Sequence, residues 1–442
     1  MSDTERKRVS TEPYKGVRDF YPEDWAVQNH IWKACRVAVE RFGFEEYNAS
    51  PLEPSELYKS KTSEEIVNEQ TYTFTDRGER EVTLRPEMTP TVARMIAAKR
   101  KTLYFPVRWY SIGNMFRYER PQKGRLREHY QLNVDIFGIA GIEGETEAIT
   151  VAYEIMRGFG MDDKSFEIRI NSRKVMNYII GTLLGQSGEA ARKTAGLIDR
   201  RAKMEKEAFS AVLSEHLGEK DALLLTLLDS KNFEEFISHL PKEKELETAL
   251  AELKVLTEAL SALGITNVVF DQTLVRGFDY YTGIVFEVFD KHPGNIRSLF
   301  GGGRYDNLLD TFGVERVPTV GFAMGDVTIR DVLQTYDLLP KVLPPPAELY
   351  LSAMEREYTE YVNDLAQILR RDGTRVVVDY SDGKIATKIK NADRARIPFF
   401  AVIGEIEKTS GQIKVKNLGT GKEAVLTEGN IAQFIHNANA AN

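Results

Sequence analysis

The chain has 442 residues, a formal net charge of -7, 42% hydrophobic and 28% charged residues, and one cysteine, Cys35. That length predicts two or three domains, and a lone cysteine excludes intramolecular disulfides and cysteine-rich metal sites. No run of ~18 apolar residues is present and the start, MSDTERKRVS, has no apolar core, so neither a membrane span nor a signal peptide is expected, and a cytoplasmic home fits best.

Residues 1–12 read as a disordered polar tail. Trp25, Ile31, Trp32, Cys35, Val39 and Phe42 recur at helical spacing and predict a helix ended by Gly43. FEEYNASPLEP reads as a strand stopped at Pro51. Between 70 and 138 the runs TYTFTD, EVTLRPE, VRWYSIGNMFRYE and HYQLNVDIFG have strand composition, with a helix at TPTVARMIAAKR, where Pro90 suits a first turn. EGETEAITVAYEIMRGFG predicts a helix and SFEIRIN a strand. Across 183–264 aromatics thin out, and Leu246, Leu250, Leu253, Leu256 and Leu260 step by three and four, which predicts a helical insertion. Strand chemistry returns at NVVFDQTLVRGFDYYTGIVFEVFD, followed by GGGRYDNLLDTFG and by VPTVGFAMGDVTIRDVLQ, read as strand, turn and helix. The Pro-rich LLPKVLPPPA (338–347) is a stiff linker. Beyond it, strands and helices alternate over 348–442, which predicts a small α/β domain.

Several chemistries are missing. There is no G-x-x-x-x-G-K-[ST], no H-E-x-x-H and no G-x-S-x-G. Gly301, Gly302 and Gly303 do not complete G-x-G-x-x-G, because Asp306 stands sixth. Six histidines and one cysteine give a zinc site only weak support, and no metal-ligating residue is assigned.

RYERPQKGRLREHYQ (117–131) concentrates Arg117, Arg120, Lys123, Arg125 and Arg127 within an acidic protein. Pro121 and Gly124 interrupt it, so it is no helical face; apolar strand-like flanks make it a hairpin with a basic tip. Residues two apart share a strand face, which would set Arg117 beside Glu119. A sheet face bearing Arg, Glu and Gln suits a polar ligand floor. Arg grips phosphate through its planar fork, and a basic tip suits a polyanion backbone.

This segment resembles motif 2 of the class II aminoacyl-tRNA synthetases in the form typical of the histidyl-tRNA synthetase family. KGVRDFYPED resembles that family's opening and GFEEYNASPLEP its motif 1, with Pro51 as the dimer-interface proline. TLRPEMTPTVAR resembles the amino-acid-binding segment, LVRGFDYYTGIVFEV the histidine-specific signature, and GGGRYDNLL the glycine-rich segment after it. VGFAMGDVTIRDVL stands where motif 3 belongs. The resemblance implies an α+β fold: a class II antiparallel sheet flanked by helices (13–182 and 265–337), the helical insertion, and a C-terminal α/β anticodon-binding domain (348–442).

It also implies ATP-dependent activation of histidine and its transfer to the terminal adenosine of tRNA(His), with ATP and Mg²⁺ required and a homodimer as the assembly. Arg276 and Arg117 would be catalytic, stabilising charge on the α-phosphate. Glu87, Thr89 and Gln131 would bind the histidine ammonium, with Arg276 on its carboxylate. Asp135, Tyr280 and Tyr281 would read the imidazole. Arg117, Glu119, Arg125 and His129 would bind ATP, and Arg120, Gln122 and Lys123 the tRNA acceptor end.

Three positions depart from the family pattern. Asp135 stands where Glu is common, His129 where Phe often stacks on adenine, and Thr328 where motif 3 carries the arginine that binds the γ-phosphate. Arg125 or Arg330 would then substitute. A non-catalytic alternative is a histidine sensor like the regulatory subunit of ATP phosphoribosyltransferase, but those relatives lack the C-terminal domain and tend to lose the motif 2 cations. A pure RNA- or protein-binding module would need neither Arg276 nor the residues that read histidine.

Overall fold

In EHYQLNVDIF, polar Gln131, Asn133 and Asp135 alternate with apolar Leu132, Val134 and Ile136. A period of two gives a strand with two chemically different faces. The computed structural model describes residues 9–59, 70–122, 124–201, 204–275, 281–295, 297–341 and 344–440. The chain forms two compact units, 1–340 and 341–442.

The first unit is built on an eight-stranded sheet. Its strands are β1 (Glu45–Glu46), β5 (Val107–Phe116), β6 (Glu128–Phe137), β7 (Phe166–Ser172), β8 (Val268–Phe270), β9 (Ile284–Asp290), β10 (Ser298–Arg304) and β11 (Thr319–Gly325). The order is β1-β5-β6-β11-β10-β9-β7-β8. All pairings are antiparallel except β1 with β5 and β7 with β8, at the two edges. A second sheet, β2-β4-β3, joins Leu52–Pro54, Glu81–Leu84 and Tyr72–Thr75.

One face of the large sheet is apolar. Tyr110, Leu132, Val134, Ile136, Phe322, Phe286 and Ile168 pack there against the helices Pro22–Glu40 and Glu143–Gly158 in one continuous core. Helices between Gly188 and Ala262 bury their leucines in the same core, Leu246, Leu250, Leu253, Leu256 and Leu260 among them. On the opposite face the helix Thr89–Lys99 covers one end, where Val92 and Ile96 meet Val107 and Phe137. Farther along β6 that face turns polar.

Two local readings need correction. FEEYNASPLEP does not end as a strand at Pro51: β1 is only Glu45–Glu46, and pairing resumes beyond the proline, in β2. Nor do Arg117 and Glu119 share a strand face. β5 ends at Phe116; although Arg117 N still donates to Arg127 O (2.9 Å), Glu119 N turns back to Arg117 O (2.7 Å), which breaks the pleat.

In the second unit the sheet order is β13-β12-β14-β15-β16, from Val376–Asp379, Leu349–Ala353, Phe399–Ile403, Gln412–Asn417 and Glu423–Thr427. The first three strands pair in parallel and the last two close as a hairpin. Helices Thr359–Arg371 and Glu428–Ala440 pack over Leu349, Leu351, Ile403 and Val415.

Candidate active site

The polar face of β6 carries Gln131, Asn133 and Asp135, which are 8%, 3% and 3% exposed. Gln131 Oε1, Asn133 Nδ2 and Asp135 Oδ2 are buried with no hydrogen-bond partner among the described residues. Each such orphan costs about 1–3 kcal/mol, so a line of them is a surface prepared for a polar ligand. The register sets Asp135 between Trp109 of β5 and Gly321 of β11, and Gln131 between Gly113 and Gly325.

Glycine keeps the floor open. A Cβ on Gly321 would lie 2.2 Å from the Tyr305 hydroxyl and 2.6 Å from Asp135 Oδ1. The Tyr305 hydroxyl donates to Asp135 Oδ1, and Tyr281 stands edge-on to Tyr305 with centroids 6.0 Å apart. Asp135, Tyr305 and Tyr281 therefore form one cluster at the apolar end of the face. Burial pushes the Asp135 carboxyl up to about 7, against the Tyr305 hydrogen bond, which lowers it.

Toward the hairpin, His129 is half-buried at the near end of β6. Burial, then the Arg117 and Arg18 charges, push its imidazole down to about 3, so the ring is neutral. Arg117 donates from Nε to Pro86 O (2.9 Å), and buried Arg85 donates to Asn114 O (2.9 Å) and Ala49 O (2.9 Å). These bonds fasten the segment leading to Glu87 and Thr89 along the end of β5; Glu87 and Thr89 are both half-buried there.

The hairpin tip closes with Gln122 N to Arg125 O (3.0 Å) and Arg125 N to Gln122 O (2.9 Å), with Gly124 at φ +78°. Arg120 and Gln122 are exposed there. Arg125 pairs with Glu119 at 3.4 Å, so two of the residues expected at ATP meet each other. Arg127 lies over the Tyr118 ring, 4.1 Å from its centroid, and donates to the Tyr14 hydroxyl (2.8 Å). Lys123, Arg276 and Tyr280 lie outside the described residues.

Sequence reasoning passed over three features. Asn133 was available from the same two-residue spacing as Gln131 and Asp135. Tyr305 stands inside GGGRYD, but only the topology brings it to Asp135. Asp326 opens the helix Asp326–Thr335 and is fully buried; it accepts from Arg18 (2.7 Å), Gln28 (2.9 Å) and the Tyr130 amide (3.0 Å), tying the N-terminal segment to β6. Arg330, expected as a substitute cation, is bound elsewhere: its Nη2 meets Asp24 Oδ1 at 2.8 Å on the helix Pro22–Glu40. Thr328 spends its hydroxyl on Leu299 O (2.9 Å).

The family described as Histidyl-tRNA synthetase matches residues 16–328, and that described as Anticodon binding domain matches 347–438. The histidine--tRNA ligase of Leptospira biflexa is 36% identical over 422 residues, covering 94% of each chain. That of Thermoplasma volcanium is 36% identical over 430 residues, covering 97% of this chain and 99% of the relative. Among solved structures, the histidyl-tRNA synthetase from Nostoc sp. PCC 7120 superposes with a TM-score of 0.81 at 22% identity, over 98% of this chain and all of that one. An ATP phosphoribosyltransferase regulatory subunit/histidyl-tRNA synthetase from Bacillus halodurans superposes at 0.72 and 24% identity, over 87% and 97%. Family matches over most of the chain, with relatives 36% identical along nearly their whole length, place it: the chain belongs to the histidyl-tRNA synthetase family.

Proposed function

We propose that the polar face of β6 is where this histidine–tRNA ligase joins histidine to ATP. The observation that carries the reading is the line of buried, unpartnered polar atoms on Gln131, Asn133 and Asp135, beside the Tyr305–Tyr281 pair. Asp135 accepts an imidazole N–H of histidine, with Tyr281 and Tyr280 beside the ring. Glu87, Thr89 and Gln131 hold the ammonium. A site built to pair a polar ring rejects apolar analogues strongly, because they leave its groups orphaned.

The histidine carboxylate attacks the α-phosphorus of ATP; a P–O bond forms and pyrophosphate leaves. Arg117 and Arg276 stabilise the charge that develops on the α-phosphate. Neutral His129 stacks on adenine, and Glu119 and Arg125 contact the nucleotide. The terminal ribose hydroxyl of tRNA(His) then attacks the histidyl carbonyl and AMP departs, with Arg120, Gln122 and Lys123 near the acceptor end. Mg²⁺ would come with the phosphates of ATP and would neutralise the charge of the leaving pyrophosphate; among the described residues no group of three or more His, Cys, Asp or Glu gathers to hold a metal.

A homodimer is part of the reading. Leu52 and Phe74, on the β2-β4-β3 sheet that follows Pro51, are 45% and 48% exposed. The protein works in the cytoplasm; no helix among the described residues is long and apolar enough to cross a membrane. The regulatory-subunit reading is weakened by the match to an anticodon-binding domain over 347–438.

Histidine-dependent ATP–pyrophosphate exchange on the purified chain tests the proposal. Exchange with histidine alone among the amino acids is expected, and its loss in Arg276→Ala with the fold intact. Histidine binding without exchange would leave a sensor instead.

A further inference from the structure

One cation of the basic hairpin, Arg127, has no part in the reaction as described above. It stands at the hairpin's base, one residue before β6, and is half-buried. Its guanidinium lies over two rings, 4.1 Å from the centroid of Tyr118 and 5.4 Å from that of Tyr14. Nη1 donates to the Tyr14 hydroxyl (2.8 Å) and Nε to Glu119 O (3.2 Å). Its carbonyl accepts from the Arg117 amide (2.9 Å). Arg127 is therefore bonded to both of the residues that flank the turn out of the pleat.

The N-terminal segment 14–18 crosses this base at close quarters. The Arg127 amide donates to Gly16 O (2.7 Å). Gly16 has φ +88°, and a Cβ there would lie 2.9 Å from Arg127 Cγ and 2.9 Å from Pro121 Cγ. Only glycine allows that approach, because the Pro121 ring cannot swing aside. The segment is itself anchored. Arg18 meets buried Asp326 at 2.7 Å, and Asp326 also accepts from the Tyr130 amide (3.0 Å). Phe20 packs edge-on to Tyr130, with centroids 6.0 Å apart. On the outgoing strand the Tyr118 amide donates to Gln70 O (2.7 Å). Beyond Phe116, where β5 ends, the hairpin is thus held from outside on both of its strands.

We propose that Arg127 is a positioning residue: gripped by the segment 14–18, it sets the direction in which the basic hairpin leaves the sheet and so places Arg117 and Glu119 for the nucleotide. What the hairpin does rests on the functional reading above; how it is held does not. A planar guanidinium can lie on an aromatic face and still donate from its edge, which an ammonium does less well. Arg127 does both, with Tyr118 under its face and the Tyr14 hydroxyl and Glu119 O at its edge. An RNA phosphate would have to compete with those bonds.

The test uses the full chain, ATP–pyrophosphate exchange without tRNA, and limited trypsin digestion scored after exposed Arg125. Arg127→Ala and Gly16→Ala are both expected to lower kcat/KM for ATP about tenfold or more, the scale on which small misplacements of reacting groups act. The KM for histidine stays unchanged, and cleavage after Arg125 becomes faster. Gly16→Ala removes no charge, so its agreement with Arg127→Ala separates position from electrostatics. Arg127→Lys keeps the charge without the fork and should rescue neither readout. Tyr14→Ala, at a side chain 57% exposed, leaves the fold intact and should shift both in the same direction. Normal exchange in Gly16→Ala and Tyr14→Ala overturns the proposal, as does rescue by Arg127→Lys or unchanged cleavage after Arg125. A raised KM for tRNA with normal exchange in Arg127→Ala also overturns it and makes Arg127 an RNA contact. Absence of exchange by the unsubstituted chain would instead overturn the functional reading, while the digestion still decides how the hairpin is held.

Discussion

The Tyr305 hydroxyl donates to Asp135 Oδ1, joining residues 170 positions apart. The bond leaves Asp135 Oδ2 as the atom without a partner. With the carboxyl pushed up to about 7, histidine binding should depend on pH near neutrality if Asp135 receives the imidazole as proposed. The KM for histidine should rise as pH falls through 7 and Asp135 takes up a proton. Tyr305→Phe removes a bond that lowers this pKa, so the transition should move to higher pH, with the KM about tenfold higher at pH 7. Exchange assays from pH 6 to 9 would show it; an unshifted profile would refute the coupling.

The same carboxyl opposes stability. Its folded-state pKa is raised from 3.8 to about 7, so the native state holds the proton more tightly than the unfolded chain. Stability is therefore lost as pH rises between those values, and the full penalty stands above 7. Asp135→Asn keeps an acceptor for Tyr305 and carries no charge. It should abolish histidine activation yet be more stable by about 2–4 kcal/mol at pH 8, an advantage that shrinks toward pH 4. Denaturant melts at the two pH values measure this.

Much of this site was legible because it lies along one strand. Gln131 and Asp135 share a face by the period of two, and Gly124 with Pro121 marked the hairpin tip. The misreadings occurred where the chain leaves its pleat, at the turn from Arg117 to Glu119. Contacts made only by topology were out of reach: Tyr305 with Asp135 and Asp326 with Arg18. Each joins segments far apart in sequence that only the tertiary fold brings together. Arg330, offered beside Arg125 as a substitute, stands two residues beyond Thr328, where a helix turns its side chains different ways, and it pairs with Asp24.

Arg304, within GGGRYD, is structural. Its side chain is 7% exposed and pairs with Glu145, 3% exposed, on the helix Glu143–Gly158. Nε donates to Glu145 Oε1 (2.6 Å), and further bonds reach Ile139 O (3.0 Å) and Gly141 O (2.9 Å). Breaking a buried pair from one side leaves the other charge short of a partner, and among the described residues only Asp306, at 3.3 Å from Arg304 Nη1, remains as a carboxylate beside it. Glu145→Gln should cost about 3–5 kcal/mol while leaving the KM values for histidine and ATP unchanged below the melting temperature.

Arg330→Ala tests the reassignment of that arginine. Its partner Asp24 is 42% exposed and Arg330 itself 28%. A pair this open contributes at most about 1 kcal/mol. The variant should lose no more than that in a denaturant melt and should keep the KM for ATP. A tenfold rise would return Arg330 to the nucleotide site.

His129, unlike Asp135, gives a prediction of no pH dependence near neutrality. Burial and the Arg117 and Arg18 charges push its pKa down to about 3, so it stays neutral from pH 5 to 9. If the ring stacks on adenine as proposed, that contact is an aromatic one and does not titrate. His129→Phe should therefore preserve the KM for ATP, and His129→Ala should raise it about tenfold, in keeping with the ~1–3 kcal/mol of a base–aromatic stack. The ratio between the two variants should be flat from pH 6 to 8. A ratio that changes across that range would mean the imidazole carries a proton in the complex, and the role of His129 would be electrostatic, toward the phosphates.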